Sequence, residues 1–267
     1  MARDFGVPHG DPRSVVLLLD AEVLRAMPAM AQMPSFAGLR GWEPLWAPEL
    51  RVAWVIFAGP SLVHTERAGV LMRCQGADGD VDAWLDRAAA QHSGGPAALP
   101  VPGVHAVALS LDGAPRVAMR AKAHVVAIVP PDEALAVARS LATTAIPEHV
   151  SSGEALRVRL AQPHHVLPTL VADHATELRV WLEPTPDAGA ELVLEQDLPS
   201  PAEAAVAQRE LSAAIASHNS IMVKVLLAGL IDVVAVTVAG PVVRARVHAT
   251  PDQVSALVNL LKMVTPP

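Results

Sequence analysis

Two patterns of apolar and polar residues divide the chain into halves. In the first half, the segments 14–20 and 49–60 are apolar on successive residues, which is typical of strands buried on both faces, and 67–76 is a third predicted strand. In the second half, the segments 155–162 and 177–184 alternate apolar and polar residues, as strands with one face in water do. The pattern therefore predicts a sheet in each half, and it predicts that the first sheet is covered on both sides.

A helix-like segment occurs twice, as IVPPDEALAVARSL at 128–141 and as HATPDQVSALVNLL at 248–261. Pro131 and Pro251 stand at the expected first helical position, and an acidic residue follows each of them. The apolar residues that follow are spaced i, i+3, i+4 and i+7, which is one stripe of a helix. The aligned pairs are Ala134/Val254, Val137/Leu257, Ala138/Val258 and Leu141/Leu261. The match predicts a duplicated fold in which each copy ends with a helix that covers its sheet.

Turns and helix starts complete the order of elements. The turns at Asp112-Gly113, Pro184–Gly189 and Gly240-Pro241 predict β-hairpins, while Ser200–Glu203 and Thr250–Gln253 match the capping box that opens a helix. Each half then follows the order β-α-β-β-α-β-β-α, and the first half has room for one more strand. This order predicts an α+β protein of two tandem, structurally similar repeats. Each repeat is expected to be a mainly antiparallel sheet with helices packed on one face, with a ferredoxin-like arrangement as one option.

Domain boundaries follow from the same reading. Residues 1–13 are interpreted as a polar leader, because MARDFGVPHGDPR lacks the apolar stretch of a signal peptide. Residues 14–142 form the first predicted repeat, and 155–267 form the second. The segment 143–154 is polar and has no period, so we predict that it is the linker.

The strands of the first half need a cover on each face. Successive side chains of a strand point to opposite faces, so the apolar runs at Leu17–Leu19 and Val52–Phe57 place apolar groups on both. We expect helices on one side and a partner surface or an apolar ligand on the other. Simple alternation places Val52, Trp54 and Ile56 on the face opposite Val55 and Phe57.

Composition and charge exclude several classes of protein. Hydrophobic residues make up 52% of the 267 residues and charged residues 18%, which excludes disorder of the whole chain. The formal net charge of -7 opposes binding to a phosphate backbone, so nucleic acid is not an expected partner. No apolar run approaches the length of a membrane span.

Reactive and metal-binding side chains do not form a recognised catalytic pattern. Cys74 is the single cysteine, so a disulfide framework and a cysteine-rich metal site are both excluded. His164, His165, Asp173 and His174 form the densest group of metal-ligand types, but they lack the HxxxH or HExxH spacing of a zinc site. A G-x-S-x-G elbow and a Walker lysine are also missing. We therefore assign no catalytic, cofactor-binding or metal-binding residue, and we expect no cofactor.

One short motif points to nuclease chemistry. LAGLID, from Leu227 to Asp232, resembles the start of the LAGLIDADG signature of homing endonucleases, which implies paired helices and a terminal acid that holds a divalent metal. Val233 and Val234 then depart from the small residue and glycine of that family, and no second copy follows. The family also needs basic sheets to grip DNA, whereas this chain is acidic. We interpret the motif as an apolar helix end and expect no metal at Asp232.

Arginines alternate along the predicted strands of the second half. If those strands are neighbours, the outward positions carry an arginine-rich array with Glu183 and Glu195 nearby. One interpretation is a solvated face with cross-strand ion pairs. The other is a binding face for an anionic or protein partner. The arginines of the array are Arg157, Arg159, Arg179, Arg244 and Arg246.

The layout of the whole chain carries a second resemblance. A strand and a helix open each half and a PPDEAL-type helix closes it, and this arrangement is similar to that of uncharacterised exported lipoproteins of GC-rich Gram-negative bacteria. The resemblance implies a location in the cell envelope or periplasm if a signal peptide has been removed; otherwise the chain is expected in the cytoplasm.

Three functions follow from these observations. The first is a non-catalytic envelope protein that binds a protein partner or an apolar ligand through its sheet surfaces. The second is a cytoplasmic homodimer with a structural or interaction role, whose apolar first-half sheet forms the interface. The third is a hydrolase or a metal-dependent nuclease, for which LAGLID is the motif in question.

Overall fold

The computed structural model describes residues 15–28, 47, 49–59, 67–111, 113–150, 153–161, 163, 171–217 and 234–255. The chain divides into two compact units. The first contains Met1–Glu22 and Ser35–Val150, and the second contains Val23–Pro34 and Ser151–Pro267. The division after Val150 falls inside the segment 143–154 that the sequence indicated as a linker, whereas residues 23–34 group with the second unit.

The first unit is built on an antiparallel sheet with two longer helices. Its strands follow the order β1-β2-β3-β7-β6-β5-β4 across the sheet. The short helix α1 (Ala21–Ala26) lies at the division between the units. The remaining elements are β1 (Val15–Asp20), β2 (Val52–Gly59), β3 (Gly69–Cys74), α2 (Asp78–Gln91), β4 (Gly95–Pro96), β5 (His105–Leu111), β6 (Ala114–Lys122), β7 (Val125–Val129) and α3 (Ala134–Thr143).

Two apolar cores lie on opposite faces of this sheet. Helix α2 covers one face through Val81, Leu85 and Ala89, which are spaced one turn apart and pack against residues such as Met72. Helix α3 covers the other face through a stripe that ends at Leu141. The stripe is the one that the sequence predicted, and its buried members are Ala134, Val137, Ala138 and Leu141. Intrachain helices therefore cover both faces.

This arrangement corrects two expectations about the first half. Helices were expected on one face only, and a partner or an apolar ligand was expected on the other. Strand β2 is nevertheless buried on both faces by the unit's own helices, with Trp54 1% and Val55 3% exposed. The unbroken apolar run in β2 thus reflects a double core, and it carries no information about a partner.

A β-bulge changes which side chains of β2 share a face. Val52 pairs with Cys74 and Trp54 pairs with Arg73, so Ala53 is an extra residue in the ladder. Ala53 and Trp54 both pack in the core beneath α3, and Val52 joins Val55 in the core beneath α2. The prediction that Val52 shares a face with Trp54 was wrong, because simple alternation holds only where the register is regular.

The second unit contains a five-stranded antiparallel sheet in the order β8-β9-β10-β12-β11. Helix α4 lies against β11 and β12 and buries Ala204 and Ala207. The N-cap bond of the predicted capping box at Ser200 is present, because the Ser200 hydroxyl accepts from the Glu203 N–H at 3.2 Å. The elements are β8 (Leu156–Ala161), β9 (Glu177–Pro184), β10 (Ala190–Asp197), α4 (Pro201–Ser217), β11 (Ala235–Ala239) and β12 (Val242–Ala249).

The two predicted starts of the repeated helix have different outcomes. Residues 251–255 are helical, and Gln253 N–H lies 3.4 Å from the Thr250 hydroxyl, so the second start at Pro251 is confirmed. Helix α3 begins only at Ala134, and Pro131 lies in the turn that precedes it. The first start was therefore placed three residues too early.

The α+β class is confirmed, since helices accompany sheets whose paired strands are all antiparallel. The ferredoxin-like option does not fit. That motif is a split βαβ unit, in which two parallel strands joined by a helix have another strand between them. Here β1 and β2 are joined through α1, and they pair directly and antiparallel.

Candidate interaction surface

The strand register places the five predicted arginines on one face of the second sheet. Arg159 in β8 lies opposite Arg179 in β9, and Arg179 lies opposite Glu195 in β10. Glu195 in turn lies opposite Arg244 in β12. Since directly opposed residues point to the same side of a sheet, these four side chains form one row.

A second row lies beside the first on the same face. Arg157 is opposite Trp181, which is opposite Val193, and Val193 is opposite Arg246. Each residue is two positions from a member of the first row, so its side chain points to the same side. We call this side of the second sheet the arginine face. It comprises the five arginines, the carboxylates that pair with them, and Trp181.

A continuous chain of ion pairs joins the first row. Arg159 donates to Glu177 with Nε and Oε2 2.8 Å apart, and this hydrogen bond raises the pKa of the Arg159 guanidinium above its ordinary value. Arg179 donates to Asp197 at 2.7 Å and lies 3.3 Å from Glu195 Oε2. Through the contacts of Glu177 with Arg179 and of Glu195 with Arg244, the chain links four strands by alternating charges.

Among the acids that join the first row, Glu195 is the most buried. Its side chain is 9% exposed, and it lies between Arg179 and Arg244 on the two neighbouring strands. Arg244 donates to Glu195 Oε1 from Nε at 2.7 Å and also from Nη2. A carboxylate removed from water must be paired, and these two guanidiniums supply the compensation.

The other two arginines have their own acidic partners. Arg246 Nε lies 2.6 Å from Glu191 Oε1, and Arg157 pairs with Glu154. The arginine face therefore carries five guanidiniums against five paired carboxylates, so it is not a cationic patch. The paired acids are Glu154, Glu177, Glu191, Glu195 and Asp197.

The face also contains an apolar centre and one unsatisfied donor. Val193 is 1% exposed although it shares a face with the arginines, and its cross-strand neighbours are Trp181 and Arg246. Among the described residues, the buried Nε–H of Arg179 has no hydrogen-bond acceptor. The closest carboxylate oxygen with which it forms an ion pair, Glu177 Oε1, is 3.9 Å away.

Sequence reasoning named the arginines, Glu183 and Glu195, but it missed Glu177, Glu191 and Trp181. The signal was present in the same alternation. Glu177 and Trp181 stand at even spacings from Arg179 in β9, and Glu191 stands four residues before Glu195 in β10. Applying the period of two to every residue of these strands would have placed them on the arginine face.

A second polar cluster, which sequence reasoning also missed, lies on α2. Arg120 of β6 forms a bidentate pair with Asp82, at 2.6 and 2.7 Å. Asp78 accepts from the His124 N–H at 3.1 Å, and His124 has a φ of 63°, which is uncommon for a residue other than glycine. These contacts tie the start of α2 to β6 and to the turn before β7, which is a structural role.

The other candidate residues named from the sequence are Cys74, the histidine group and the LAGLID segment. Cys74 is fully buried beneath α2, and burial raises the pKa of its thiol to about 12, so the reactive thiolate is not formed near neutral pH. Asp173 and His174 lie in a turn, while His164, His165 and the LAGLID segment with Asp232 lie outside the described residues. Within the described part of the chain, no three His, Cys, Asp or Glu residues are grouped to hold a metal ion.

Comparison with known proteins gives a similarity to a solved structure. No protein-family model and no curated protein matches the chain. A solved structure, crystal form I of TP0453, has a TM-score of 0.49 and 8% sequence identity, and the match covers 93% of this chain and 94% of that chain. A search of the described helices for a membrane-spanning segment found none of sufficient length and apolarity.

Proposed function

We propose that this chain is a non-catalytic binding protein of the cell envelope, and that its arginine face receives a protein partner. The single observation that carries the proposal is the ordered network around Glu195, in which partly exposed guanidiniums are held in fixed positions. Arg244 is 46% exposed and Arg246 is 52% exposed, although both are ion-paired. Such side chains lose little conformational freedom when a partner binds.

The residue types support a protein partner. Arginine and tryptophan are enriched at the centres of protein interfaces, and Trp181 lies between Arg157 and Val193 on this face. An arginine has five N–H donors, so Arg246 keeps several after its contact with Glu191. A partner that presents alternating donors and acceptors can use both signs of charge.

The same charge balance argues against an anionic ligand. A phosphate or a nucleic acid would have to displace Glu177, Glu191 or Glu195 from an arginine, and it would gain no attraction from net charge. An apolar ligand in the first unit has less support than it had from the sequence, because α2 and α3 fill both faces of that sheet.

We also propose that the two units are tandem repeats. The strand order β1-β2-β3-β7-β6 in the first unit has the same form as β8-β9-β10-β12-β11 in the second. In both, a helix follows the third strand, and the last hairpin returns to pair with that strand. Strands β4 and β5 are then an addition to the first copy. A structural superposition of β1–β3 with β6–β7 on the five strands of the second unit tests this.

The envelope location rests on the resemblance in layout to exported lipoproteins. Fractionation of the native host with an antibody against the chain tests it, together with a search for a lipid-attachment cysteine upstream of residue 1 in the gene. Recovery from the cytoplasm without such a cysteine would contradict this part of the proposal and favour the cytoplasmic alternative.

The binding face is tested by photo-crosslinking in the native host. We would replace Arg246 with p-benzoylphenylalanine and use the same replacement of Arg87 as the control. Among the described residues each of these arginines pairs with one glutamate, and their side chains are 52% and 54% exposed. Arg87 lies on α2 of the first unit and is not part of the arginine face.

The expected result is a discrete adduct with another protein from position 246 and none from position 87. Mass spectrometry of the adduct identifies the partner, and Arg244→Ala should reduce its yield. Equal adducts from both positions, or none from position 246, would overturn the assignment of the arginine face.

A further inference from the structure

Strand β11 ends the second sheet, and its outer edge pairs with no strand among the described residues. It pairs with β12 on one side, and the remaining strands of the sheet follow from β12. Its residues are exposed except Val236, and none of them is charged. Strand β4, at one end of the first sheet, is different: it has two residues, one of which is Pro96. Short strands and proline protect an edge against pairing, and β11 has neither device.

The register shows which backbone groups of β11 point outward. Leu198 N–H donates to the Pro241 carbonyl at 2.9 Å on the side of β10, so odd-numbered residues near the start of β12 direct their backbone groups to β10. Even-numbered residues of β12 then bond to β11. Arg244, for example, bonds to Thr237, its cross-strand partner in β11. The N–H and C=O groups of Val236 and Val238 consequently point away from the sheet.

Only one of these outward groups has a contact among the described residues. Gln208 on α4 donates from Nε2 to the Val236 carbonyl at 3.4 Å, a long hydrogen bond that leaves the second lone pair of the oxygen open. The Val236 N–H and both backbone groups of Val238 have no partner in the described part of the chain. The edge therefore offers two donors and two acceptors.

The sequence of β11 is a palindrome, Ala-Val-Thr-Val-Ala. We propose that β11 pairs antiparallel with β11 of a second copy of this chain, about a two-fold axis at Thr237. In this register Val236 of each copy lies opposite Val238 of the other. These are the residues whose backbone groups point outward, so each pair exchanges both of its hydrogen bonds.

The side chains also fit a two-fold pairing. Thr237 meets Thr237 of the second copy on the arginine face, and threonine pairs across strands are favourable. The valines meet on the opposite face, where Val238 is 36% exposed in the single chain. An isologous contact needs a surface that is complementary to itself, and an uncharged palindrome meets that condition without like-charge repulsion. A strand from another protein would not require this symmetry.

We expect a weak dimer. Five residues of strand bury much less than the roughly 1,200 Å² of a standard stable interface. Sedimentation velocity from micromolar to millimolar concentration should show a reversible monomer–dimer equilibrium. Hydrogen exchange at high concentration should protect the amides of Val236 and Val238 relative to a dilute sample.

Position 237 permits a charge-swap test, because it is its own partner. Thr237→Lys alone and Thr237→Glu alone should each weaken dimerisation by about tenfold or more through like-charge repulsion. An equimolar mixture of the two variants should form a heterodimer at least as tight as the parent homodimer. Circular dichroism of each variant checks that the fold is retained, since Thr237 is exposed.

A proline substitution isolates the backbone contribution. Val238→Pro removes an outward N–H without breaking a bond to β12, and we expect dimerisation to weaken on the order of tenfold because two hydrogen bonds are lost per dimer. Three results would overturn the proposal: a monomer throughout the concentration range, a dimer that Thr237→Lys leaves unchanged, or no recovery in the mixture of charged variants. None of these readouts depends on a partner of the arginine face, so this proposal and the proposed function can fail separately.

Discussion

Glu195 in β10 accepts a hydrogen bond from its direct cross-strand neighbour, Arg244 in β12, with Oε1 and Nε 2.7 Å apart. The carboxylate also lies 3.3 Å from Arg179 of the other neighbouring strand. One buried acid therefore holds two guanidiniums, and its removal affects both. Glu195 is thus the acid that joins Arg179 of β9 to Arg244 of β12.

The first prediction concerns this acid. Glu195→Gln keeps the shape but removes the charge, and it should lower the free energy of unfolding by about 1–2 kcal/mol, discounted because both guanidiniums are partly in water. Urea denaturation followed by far-ultraviolet circular dichroism measures the loss. Glu183→Gln is the matched control, because Glu183 lies on the same face opposite Glu191 and forms no ion pair in the described chain. Equal effects of the two substitutions would contradict the central role of Glu195.

A second prediction tests the double core of the first unit. Leu85→Ala removes contacts beneath α2 and Leu141→Ala removes contacts beneath α3, and both side chains are fully buried. Each substitution should cost about 2–5 kcal/mol of unfolding free energy. The two losses should add, because the side chains lie in different cores on opposite faces of the sheet. A small effect at either position would show that its face is not a tightly packed core; Val206→Ala, at a position 44% exposed, should have little effect.

The third prediction follows from the buried thiol. The pKa of Cys74 is raised by burial from 9.0 to about 12 in the folded chain. Between these values the unfolded chain has lost a proton that the folded chain keeps, so stability should fall as pH rises from 9 to 12. Denaturation at a series of pH values should show this slope, and Cys74→Ala should reduce it. The native thiol should also resist iodoacetamide at pH 8 until urea is added, and rapid labelling without urea would contradict its burial.

The fourth prediction concerns the start of α4. The Ser200 hydroxyl accepts from the Glu203 N–H at 3.2 Å and donates to the Glu203 carboxylate at the same distance. Ser200→Ala should cost about 1 kcal/mol, whereas Ser200→Gly should cost only a few tenths, because glycine is tolerated at this cap. Faster hydrogen exchange of the first amides of α4 in the alanine variant would localise the effect. Indistinguishable alanine and glycine variants would show that the cap contributes little.

Local patterns predicted much of the fold and half of the candidate surface. The stripe from Ala134 to Leu141, the two capping boxes and the hairpin at Gly240-Pro241 each depend on residues within one turn or one hairpin. Gly240 has a φ of 60°, which lies in the left-handed region that favours glycine. The glycine in the sequence therefore indicated the position of the turn. Alternation along the strands likewise placed the arginines on one side.

The features that were missed depend on the neighbours of a residue in space. The pairing of Glu195 with Arg244 joins strands separated by a helix, and no local period specifies which strands become neighbours. The bulge at Ala53 appears only when β2 is aligned with β3, because both residues around it are apolar. The cover of β2 by α2 could not be inferred for the same reason: an apolar run requires a cover but does not identify it.

The pairing of β10 with β12 has a consequence for synthesis of the chain. Ala190 pairs with Ala249, and in the first unit Val70 pairs with Ile128. In both pairs the second residue is made more than fifty residues after the first. Contacts between such distant residues form slowly, because a long loop must close first. While the ribosome makes the intervening residues, β3 and β10 each keep one side without its final neighbour. Nascent chains that stop shortly before β7 or β12 should therefore be the species most prone to aggregation.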